Sequence, residues 1–344
     1  GSRGLGDVYK RQEIYLFLFR THVKLGNRHK LSVGTEYIVD VLKSQTDNIA
    51  KEDAYTLALF AQDEIKLLRN LQALIGVRYI YHENFKNHAT PNVALMYKPG
   101  KFNFRASYAA GFRTPTLSEL YATDIAKKND RLTIGNLDLK PEKNNYFSLS
   151  AEYVHERFSV SVNAFYNNIR DMIDYNTIAT GDKAMEQYGH KEVRQRDNIA
   201  EAKVHGINVS ANAYLGAGFN LSGGYTHLNT QDVELEQPID KSIKNAYNIN
   251  AQWAHSWKIY RLNINLNGRI NSKRFSKSYG YAPEYQLWDL NTRHSFNLKS
   301  VIIEPGFGME NLFDYMDDRP YNSNYATLTP GRSFYISLSL KFKS

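Results

Sequence analysis

The stretch that decides the fold is YRLNINLNGRI, residues 260–270, in which apolar and polar residues alternate almost without a break. Leu262, Ile264 and Leu266 fall on one side of an extended chain, and asparagine and arginine residues fall on the other. Successive side chains of a strand point to opposite faces of a sheet, so this stretch predicts a strand with one apolar and one polar face. The same alternation returns in SFYISLSLKF, residues 333–342.

The same rule, applied along the whole chain, predicts about fifteen strands. Most are longer than the ~5–6 residues typical of globular proteins, and they match or exceed the ~9–11 residues that cross a bilayer at a tilt. The predicted spans are 13–25, 29–41, 53–67, 70–83, 90–98, 101–110, 144–155, 157–171, 200–215, 218–229, 245–256, 258–271, 284–297, 300–312 and 332–343.

The links between these strands alternate in length. Links after odd-numbered strands are short, whereas the predicted links after even-numbered strands are long: 42–52, 84–89, 111–143, 172–199, 230–244, 272–283 and 313–331. Short periplasmic turns alternating with long external loops are typical of outer-membrane barrels. We therefore expect an all-β fold, a transmembrane antiparallel β-barrel in the outer membrane, with its C-terminus in the periplasm. Single-chain bacterial barrels usually have an even number of strands, so an odd count predicts further strands at the front.

The composition agrees with a barrel and excludes several other classes. The mean hydropathy is −0.53, which does not argue against strands that alternate lipid-facing and lumen-facing residues. The chain has 25 tyrosines, and aromatic residues cluster at predicted strand ends, as in a membrane-interface girdle: Trp253, Trp257, Tyr279, Tyr281, Tyr285 and Trp288. There is no cysteine, which excludes disulfides and thiolate sites. The net charge of +8 is scattered, which predicts no nucleic-acid partner and a basic interior suited to anionic ligands.

The first twelve residues do not fit the strand pattern. Residues 1–12 resemble translated adapter sequence at the end of an assembled fragment, and we expect them to be a non-native leader. Residues 13–344 then form one domain, a partial outer-membrane barrel.

Four segments resemble the barrel of TonB-dependent receptors, the energised importers of iron chelates, haem, cobalamin and some glycans. They are an FAQDE run at 60–64, the GFRTPTLSELY segment at 111–121, the GNLDLKPEK box at 135–143 and the NLFD element at 311–314. The motif residues are Gly111, Phe112, Arg113, Pro115, Glu119, Tyr121, Asn136, Leu139, Pro141, Glu142, Asn311, Leu312, Phe313 and Asp314. Each motif alone is weak, but their order and spacing together make the resemblance specific.

The resemblance implies a barrel of about 22 strands, of which about fifteen are in this chain, while an N-terminal plug and the first strands are missing. It also implies the TonB–ExbB–ExbD energising complex as a partner, acting through the plug. Further implied partners are outer-membrane lipid, lipopolysaccharide and the barrel-assembly machinery.

The sequence predicts a receptor rather than an enzyme. No Gly-x-Ser-x-Gly elbow and no HExxH motif occurs, so any catalytic triad would be an arbitrary choice among scattered residues. We expect import of a scarce metal chelate, with a ferric siderophore ahead of cobalamin or haem. A passive porin or adhesin barrel, an outer-membrane hydrolase and a glycan importer remain as alternatives.

Ligand-binding residues are expected in the external loops, because loops on a rigid scaffold carry binding. The candidates are Tyr81, His82, His88, Arg113, Tyr121, Tyr188 and His190. Histidine and tyrosine can ligate haem iron, although isolated loop histidines are usually plain solvated residues. Arg113 is interpreted first as a structural residue at the loop base and second as a ligand contact.

No resident cofactor is expected. Residues 114–140 contain no histidine, whereas haem receptors of this family typically carry one there, which disfavours haem. Loop acids could hold calcium, as in cobalamin receptors, but they lack the spacing of a calcium loop: Asp124, Asp130, Asp232 and Glu234.

Overall fold

The computed structural model describes residues 10–44, 49–126, 130–276, 280–317 and 330–343, and these form an all-β chain with two short helices. The strands are β1 Lys10–Leu25, β2 His29–Ser44, β3 Ile49–Leu68, β4 Leu71–His82, β5 Lys86–Tyr97, β6 Phe102–Arg113, β7 Thr123–Ala126, β8 Arg131–Ile134, β9 Glu142–Val154, β10 Phe158–Thr180, β11 Glu192–Gly216, β12 Phe219–Asp232, β13 Asn245–Trp257, β14 Tyr260–Asn271, β15 Arg274–Ser276, β16 Gly280–Ala282, β17 Tyr285–Asn297, β18 Val301–Glu310 and β19 Ser333–Phe342. The helices are α1 Leu117–Tyr121 and α2 Gly181–Tyr188. Neither described helix is long and apolar enough to cross a bilayer.

All fifteen predicted strands are present, with ends that differ by a few residues in most cases. The first begins at Lys10, so its start overlaps the leader expected at 1–12. Two predictions concern residues outside the described part of the chain: most of the expected leader, residues 1–9, and Tyr279 of the aromatic girdle.

The chain forms two compact units. The first unit runs as far as Tyr97 and includes Ala106–Phe147 and Asn167–Ala202, and the second consists of Lys98–Arg105, Ser148–Tyr166 and Lys203–Ser344. In the first unit, β1 to β5 pair consecutively as an antiparallel meander. In the second unit, β12, β13, β14, β17, β18 and β19 do the same.

The alternation of apolar and polar residues has the structural meaning that the sequence predicts. On β4 the side chains of Ile75, Val77 and Tyr79 are exposed on one face, and on β19 Ile336 is 78% exposed. Large apolar side chains in that state need an apolar surrounding, such as the lipid that the sequence predicts. The polar face of β14 contains the asparagines that the pattern assigns to it.

Three predicted long loops are shorter than expected. The link predicted at 42–52 is reduced to residues 45–48, since β2 continues to Ser44 and β3 begins at Ile49. The link between β4 and β5 is only residues 83–85, because Lys86 Nζ donates to Glu83 O and His88 Nε2 lies 3.0 Å from Phe85 O, which closes a tight turn. Residues 172–199 are mostly strand, since β10 continues to Thr180 and β11 starts at Glu192. Gly181 N donates to Lys191 O at 2.9 Å, so the two arms stay paired up to α2.

Four short strands inside predicted loops were not predicted. They are β7, β8, β15 and β16, each three or four residues long. Alternation over so few residues does not distinguish a strand from a loop.

Buried apolar side chains lie in small clusters beneath the loops of the first unit. One cluster is Leu42, Ala54 and Leu117; a second is Leu120, Leu139 and Ile173; a third is Leu132, Ala184 and Val193. These clusters hold the described loop segments 114–126, 130–141 and 181–191 in fixed positions, as a binding site on loops requires.

Candidate functional site

The helix α1 lies at the end of the GFRTPTLSELY segment and is held by its own capping residues. Thr116 Oγ1 accepts a hydrogen bond from Glu119 N at 3.1 Å, and Glu119 Oε2 accepts one from Thr116 N at 2.8 Å. This reciprocal capping box satisfies two amide groups that a helix start leaves without partners. Pro115, which is buried, restrains the backbone immediately before the cap. The TPTLSEL sequence therefore encodes a short rigid helix at the loop base.

Arg113 joins this helix to the start of β9. Since β6 pairs with β9, the last residue of β6 lies beside Glu142, the first residue of β9. Arg113 Nε and Nη2 donate to the two oxygens of Glu142 at 2.7 and 2.6 Å, and Nη1 donates to Glu119 Oε2 at 2.9 Å. Glu142 Oε1 also accepts a hydrogen bond from Ile173 N at 2.8 Å. One guanidinium thus ties together β6, α1 and β9, and Glu142 extends the link to β10.

The charges of this cluster stabilise one another. The guanidinium of Arg113 is always charged, and it faces the carboxylates of Glu119 and Glu142. Burial favours the neutral form of Glu119, but hydrogen bonds from Arg113 and Thr116 outweigh this and hold its pKa below the ordinary 4.5. The side chains of Glu119 and Glu142 are 14% and 17% exposed, whereas that of Arg113 is 42% exposed, so water screens this charge network in part.

Acid is expected to loosen α1. A carboxyl with a lowered pKa in the folded state stabilises that state above its ordinary pKa. This contribution is lost as the pH falls from 4.5 through the lowered pKa. Hydrogen exchange of residues 117–122, corrected for intrinsic rates, should therefore show protection falling from about pH 5 to about pH 3.

The substitution Glu119→Gln is the control for this prediction. It removes the titrating group, so protection of residues 117–122 should be lower at neutral pH and should depend less on acid. Constant protection of the unsubstituted helix down to about pH 3 would contradict the assignment to Glu119.

Asn198 is a second tether, which the sequence did not predict. Its Oδ1 accepts from Lys140 N at 2.8 Å, and its Nδ2 donates to Lys140 O at 2.9 Å and to Asp171 O at 2.6 Å. The side-chain amide of Asn198 thus links the backbone of the GNLDLKPEK box to the backbone of β10. No local pattern marks it, because its partners are 58 and 27 residues away.

Three further motif residues determine how this box folds. Asn136 Oδ1 accepts from Asp138 N at 2.9 Å, and Asn136 N donates to Glu119 O at 3.0 Å, which places the turn against α1. Leu139 is buried with Leu120, and Pro141 ends the segment before β9. A Cβ on Gly135 would lie 2.5 Å from the Leu120 carbonyl oxygen, so only glycine permits this close approach.

Gly111 and Phe112 have distinct packing roles at the end of β6. A Cβ on Gly111 would lie 1.7 Å from Asn144 Oδ1, so glycine leaves room for the asparagine side chain of the neighbouring strand. The ring of Phe112 stacks on that of His88, with 3.8 Å between centroids.

His82 and His88 lie on the same side of the β4–β5 turn. His82 is 4% exposed, and its Nδ1 accepts from Asn84 N at 3.1 Å, while its ring lies 5.0 Å from Phe85. His82 also lines a cavity of about 60 Å³ with residues of the TPTL segment. His88 Nε2 lies 3.0 Å from Phe85 O. Because a carbonyl oxygen only accepts hydrogen bonds, Nε2 is the donor in this contact.

Tyr81 and Tyr121 point into different surroundings. Tyr81 shares a face of β4 with Val77 and Tyr79, so it lies on the exposed apolar face, opposite His82. Its ring is 5.9 Å from that of Tyr55. Tyr121 packs against the first two buried clusters, and burial followed by the charge of Glu52 raises its pKa.

Tyr188 and His190 form a separate group on the α2 side. Tyr188 packs against the cluster of Leu132, Ala184 and Val193. His190 Nδ1 lies 2.9 Å from Asp130 Oδ1, and the hydrogen bond from His190 lowers the pKa of Asp130. The structure therefore gathers His82, His88, Arg113 and Tyr121 around one loop base, and places Tyr188 and His190 on another loop.

The loop acids considered for calcium do not gather. Asp130 pairs with His190, while Asp232 lies in the second unit, is buried, and accepts from Leu235 N at 3.2 Å. Among the described residues, no three His, Asp or Glu side chains are grouped so that they could hold a metal ion.

The NLFD element, in the second unit, forms a turn organised by Asn311. The buried Asn311 side chain donates from Nδ2 to Tyr315 O and Pro330 O at 2.7 and 3.1 Å, and its Oδ1 accepts from Tyr315 N at 2.8 Å. Leu312 N donates to Trp288 O, Phe313 packs edge-on against the Trp288 ring, and Asp314 Oδ1 accepts from Arg332 N.

The second unit also has a hydrophilic face built from amides. Asn250 Nδ2 donates to Asn265 Oδ1 and Asn267 Oδ1 at 2.6 and 2.7 Å, and Tyr335 Oη donates to Asn291 Oδ1 at 2.5 Å. An open cavity of about 460 Å³ is lined by Asn250, Asn265, Asn291 and Tyr335, together with Arg293 and further polar side chains. The face offers amide, hydroxyl and guanidinium groups to a water-soluble solute.

Comparisons with known proteins extend these observations. The family model described as TonB dependent receptor-like, beta-barrel matches residues 3–312. A structure of a variant of the ferric enterobactin receptor PfeA of Pseudomonas aeruginosa is similar, with a TM-score of 0.79 and 19% identity, over 96% of this chain and 54% of that one. The siderophore receptor PirA of Pseudomonas aeruginosa matches with a TM-score of 0.75 and 18% identity, over 97% and 57%.

A third similar structure is the copper transporter OprC, with a TM-score of 0.72 and 12% identity, over 96% of this chain and 57% of that one. At these identities the likeness shows the fold alone. The chain spans about half the length of these structures.

Proposed function

The chain belongs to the family of TonB-dependent receptor-like β-barrels, and we propose that it is the barrel part of an outer-membrane importer of a scarce metal chelate, a ferric siderophore. The observation that carries the proposal is the family match over residues 3–312. Two of the similar structures are a ferric enterobactin receptor and a siderophore receptor, which favours this cargo over cobalamin or haem.

The residues of the chain support transport of a hydrophilic, anionic solute. The amide-lined face of the second unit includes Arg293, and the exposed Arg269 lies on the same face of β14. Amides exchange hydrogen bonds with a passing solute as readily as with water, while guanidinium groups attract its negative charge.

The loop base of the first unit supplies a rigid frame for recognition. The Arg113 contacts fix α1, on which Tyr121 lies, to β9, and the Asn198 contact ties β11 to β10. We assign Arg113 to positioning these segments, because its guanidinium is already engaged by two carboxylates. Tyr188 and His190 are then the candidate contacts for the ligand, and Tyr81 is not, because it lies on the apolar face.

The proposed partners follow from the family. Energy would come from the TonB–ExbB–ExbD complex, and folding would use the barrel-assembly machinery in a membrane of phospholipid and lipopolysaccharide. In this arrangement the C-terminus is periplasmic and no cofactor is resident, although a loop calcium ion remains an alternative. A passive porin or adhesin barrel is the rival function.

Ligand titration tests the proposal. The purified protein in detergent would be titrated with ferric siderophores, haem, cobalamin and Cu²⁺, following tryptophan fluorescence with inner-filter controls. Saturable sub-micromolar quenching by ferric siderophores is the expected result. Quenching by haem, cobalamin or Cu²⁺ instead would identify that ligand as the cargo in place of a ferric siderophore. No response to any ligand would favour a passive barrel.

A pair of histidine variants locates the binding residues. The substitution His190→Gln should weaken binding several-fold, because it removes a loop donor near the expected ligand. The matched control is His255→Gln, since His255 lies in the second unit on the exposed apolar face of β13. Equal weakening by both variants would exclude the α2 side as the site.

A further inference from the structure

One end of the second unit is a continuous row of turns. Backbone hydrogen bonds join each turn to the next: Val154 N to Lys101 O, Tyr214 N to Arg157 O, Ala254 N to Gly218 O, Asn297 N to Ile259 O, and Lys343 N to Ser300 O, at 2.7–3.1 Å. We call this row the turn edge, and it consists of residues 98–101, 155–157, 216–218, 258–259, 298–300 and 343.

The turn edge is strongly basic. Its exposed cationic side chains are Lys98, Lys101, Arg157, Lys258, Lys299 and Lys343, and its one acidic residue is Glu156. The link between β12 and β13 in the same unit differs, because it mixes Glu234, Glu236 and Asp240 with lysines. The link between β12 and β13 therefore does not share the nearly uniform positive charge of the turn edge.

An exposed aromatic and apolar band borders the turn edge. Its members are Phe102, Phe158, Phe219, Trp257, Ile259 and Phe296, which are 38–57% exposed. Two members of the band pack against rings next to it: Trp257 lies 5.6 Å from Tyr260, and Phe219 lies 5.8 Å from Trp253. Aromatic side chains in this arrangement prefer the boundary between the headgroups and the acyl chains of a membrane.

We propose that the turn edge binds the anionic headgroups of phospholipids. The lysine and arginine side chains contact the phosphate groups, the aromatic band lies at the level of the glycerol esters, and the acyl chains cover the apolar strand face. The apolar band decides between partners: an acidic protein or a nucleic acid would neutralise the cations but would leave the neighbouring rings in water. A phospholipid has an anionic head joined to an apolar tail and satisfies both. The proposal does not depend on the cargo.

Quenching of tryptophan by brominated lipid tests the proposal at the site itself. Trp253 and Trp257 lie beside the turn edge, and a Trp288→Phe background removes the third tryptophan of the chain. The full chain in detergent micelles would be titrated with brominated phosphatidylglycerol and, separately, with brominated phosphatidylcholine. We expect phosphatidylglycerol to bind several-fold more tightly, and raised salt to reduce this preference.

Two triple variants with the same loss of charge separate the turn edge from net charge. The test variant is Arg157→Gln, Lys258→Gln and Lys299→Gln, and the control is Lys241→Gln, Lys244→Gln and Lys273→Gln, from other loops of the second unit. One cation near an anionic surface contributes about fivefold in affinity, so the test variant should lose at least about tenfold in preference for phosphatidylglycerol.

The control triple variant should keep the preference, and both variants should keep the far-ultraviolet circular dichroism of the parent. Equal quenching of the parent by the two lipids would overturn the proposal. So would an equal loss of preference in the two triple variants, because the effect would then come from net charge alone.

Discussion

Replacing Arg113 with alanine is expected to destabilise the loop base of the first unit by about 2–3 kcal/mol. The substitution leaves Glu119 and Glu142, whose side chains are 14% and 17% exposed, facing each other without the cation that they share. An unpaired carboxylate in a mostly buried position costs more than the net value of the lost contact. Since Arg113 is itself 42% exposed, we expect the lower part of the range known for buried pairs.

Hydrogen exchange at residues 117–122 and 136–142 measures this effect as a loss in the free energy of local opening. The substitution Arg113→Lys keeps the charge but cannot make the two parallel bonds to Glu142, and should lie between the parent and the alanine variant. A triple variant, Arg113→Met with Glu119→Gln and Glu142→Gln, should recover part of the loss because no uncompensated charge remains.

The matched control is Arg269→Ala, an exposed arginine on the polar face of β14. This substitution should change stability by less than about 0.5 kcal/mol, as surface substitutions usually do. If Arg113→Ala were as mild as Arg269→Ala, the loop base would not depend on the ion cluster, and the positioning role given to Arg113 would be wrong.

The sequence determines the strands because each strand contains its own pattern. Leu262 and Asn263 belong to opposite faces wherever β14 lies, and a slip of one residue would turn every side chain to the wrong face. This is why all fifteen long strands could be predicted, including β19, whose apolar face is exposed.

The strand extensions could not be predicted, because they depend on partners that are distant in sequence. Residues 172–199 contain the run MIDYNTIAT, which alternates poorly, yet β10 continues through it because Gly181 and Lys191 keep the two arms paired. The parallel pairing of β8 with β11 places Leu132 beside Val193. No local pattern encodes a contact between segments so far apart.

The candidate site was predicted in part for the same reason. The motifs identify Arg113, Glu119 and Glu142 as residues of interest, but only the pairing of β6 with β9 brings them into one cluster. Asn198 was missed, because an asparagine gives no signal until its partners Lys140 and Asp171 are placed.

Replacing Asn311 with alanine is expected to cost about 3–4 kcal/mol in the local stability of the NLFD turn. Asn311 is 4% exposed and makes three side-chain hydrogen bonds, to Tyr315 O, Pro330 O and Tyr315 N. Alanine would remove the side chain to which these three backbone groups are bonded. The backbone adds to the cost, since Asn311 has a φ of 52°, a left-handed conformation that asparagine tolerates and that costs alanine about 1–2 kcal/mol.

Three further substitutions separate these two causes. With Asn311→Gly the backbone is relieved but the hydrogen bonds are still lost, so it should be milder than Asn311→Ala by about 1 kcal/mol. In contrast, Asn311→Asp keeps an acceptor for Tyr315 N but places a negative charge against the carbonyl oxygens of Tyr315 and Pro330. It should therefore be at least as destabilising as Asn311→Gly. Hydrogen exchange at Tyr315 and Arg332 reports the opening of the turn, and the exposed Asn220→Ala on β12 is the control. If alanine and glycine were equally destabilising, the left-handed conformation would carry no cost here, and the asparagine of this motif would be required for its hydrogen bonds alone.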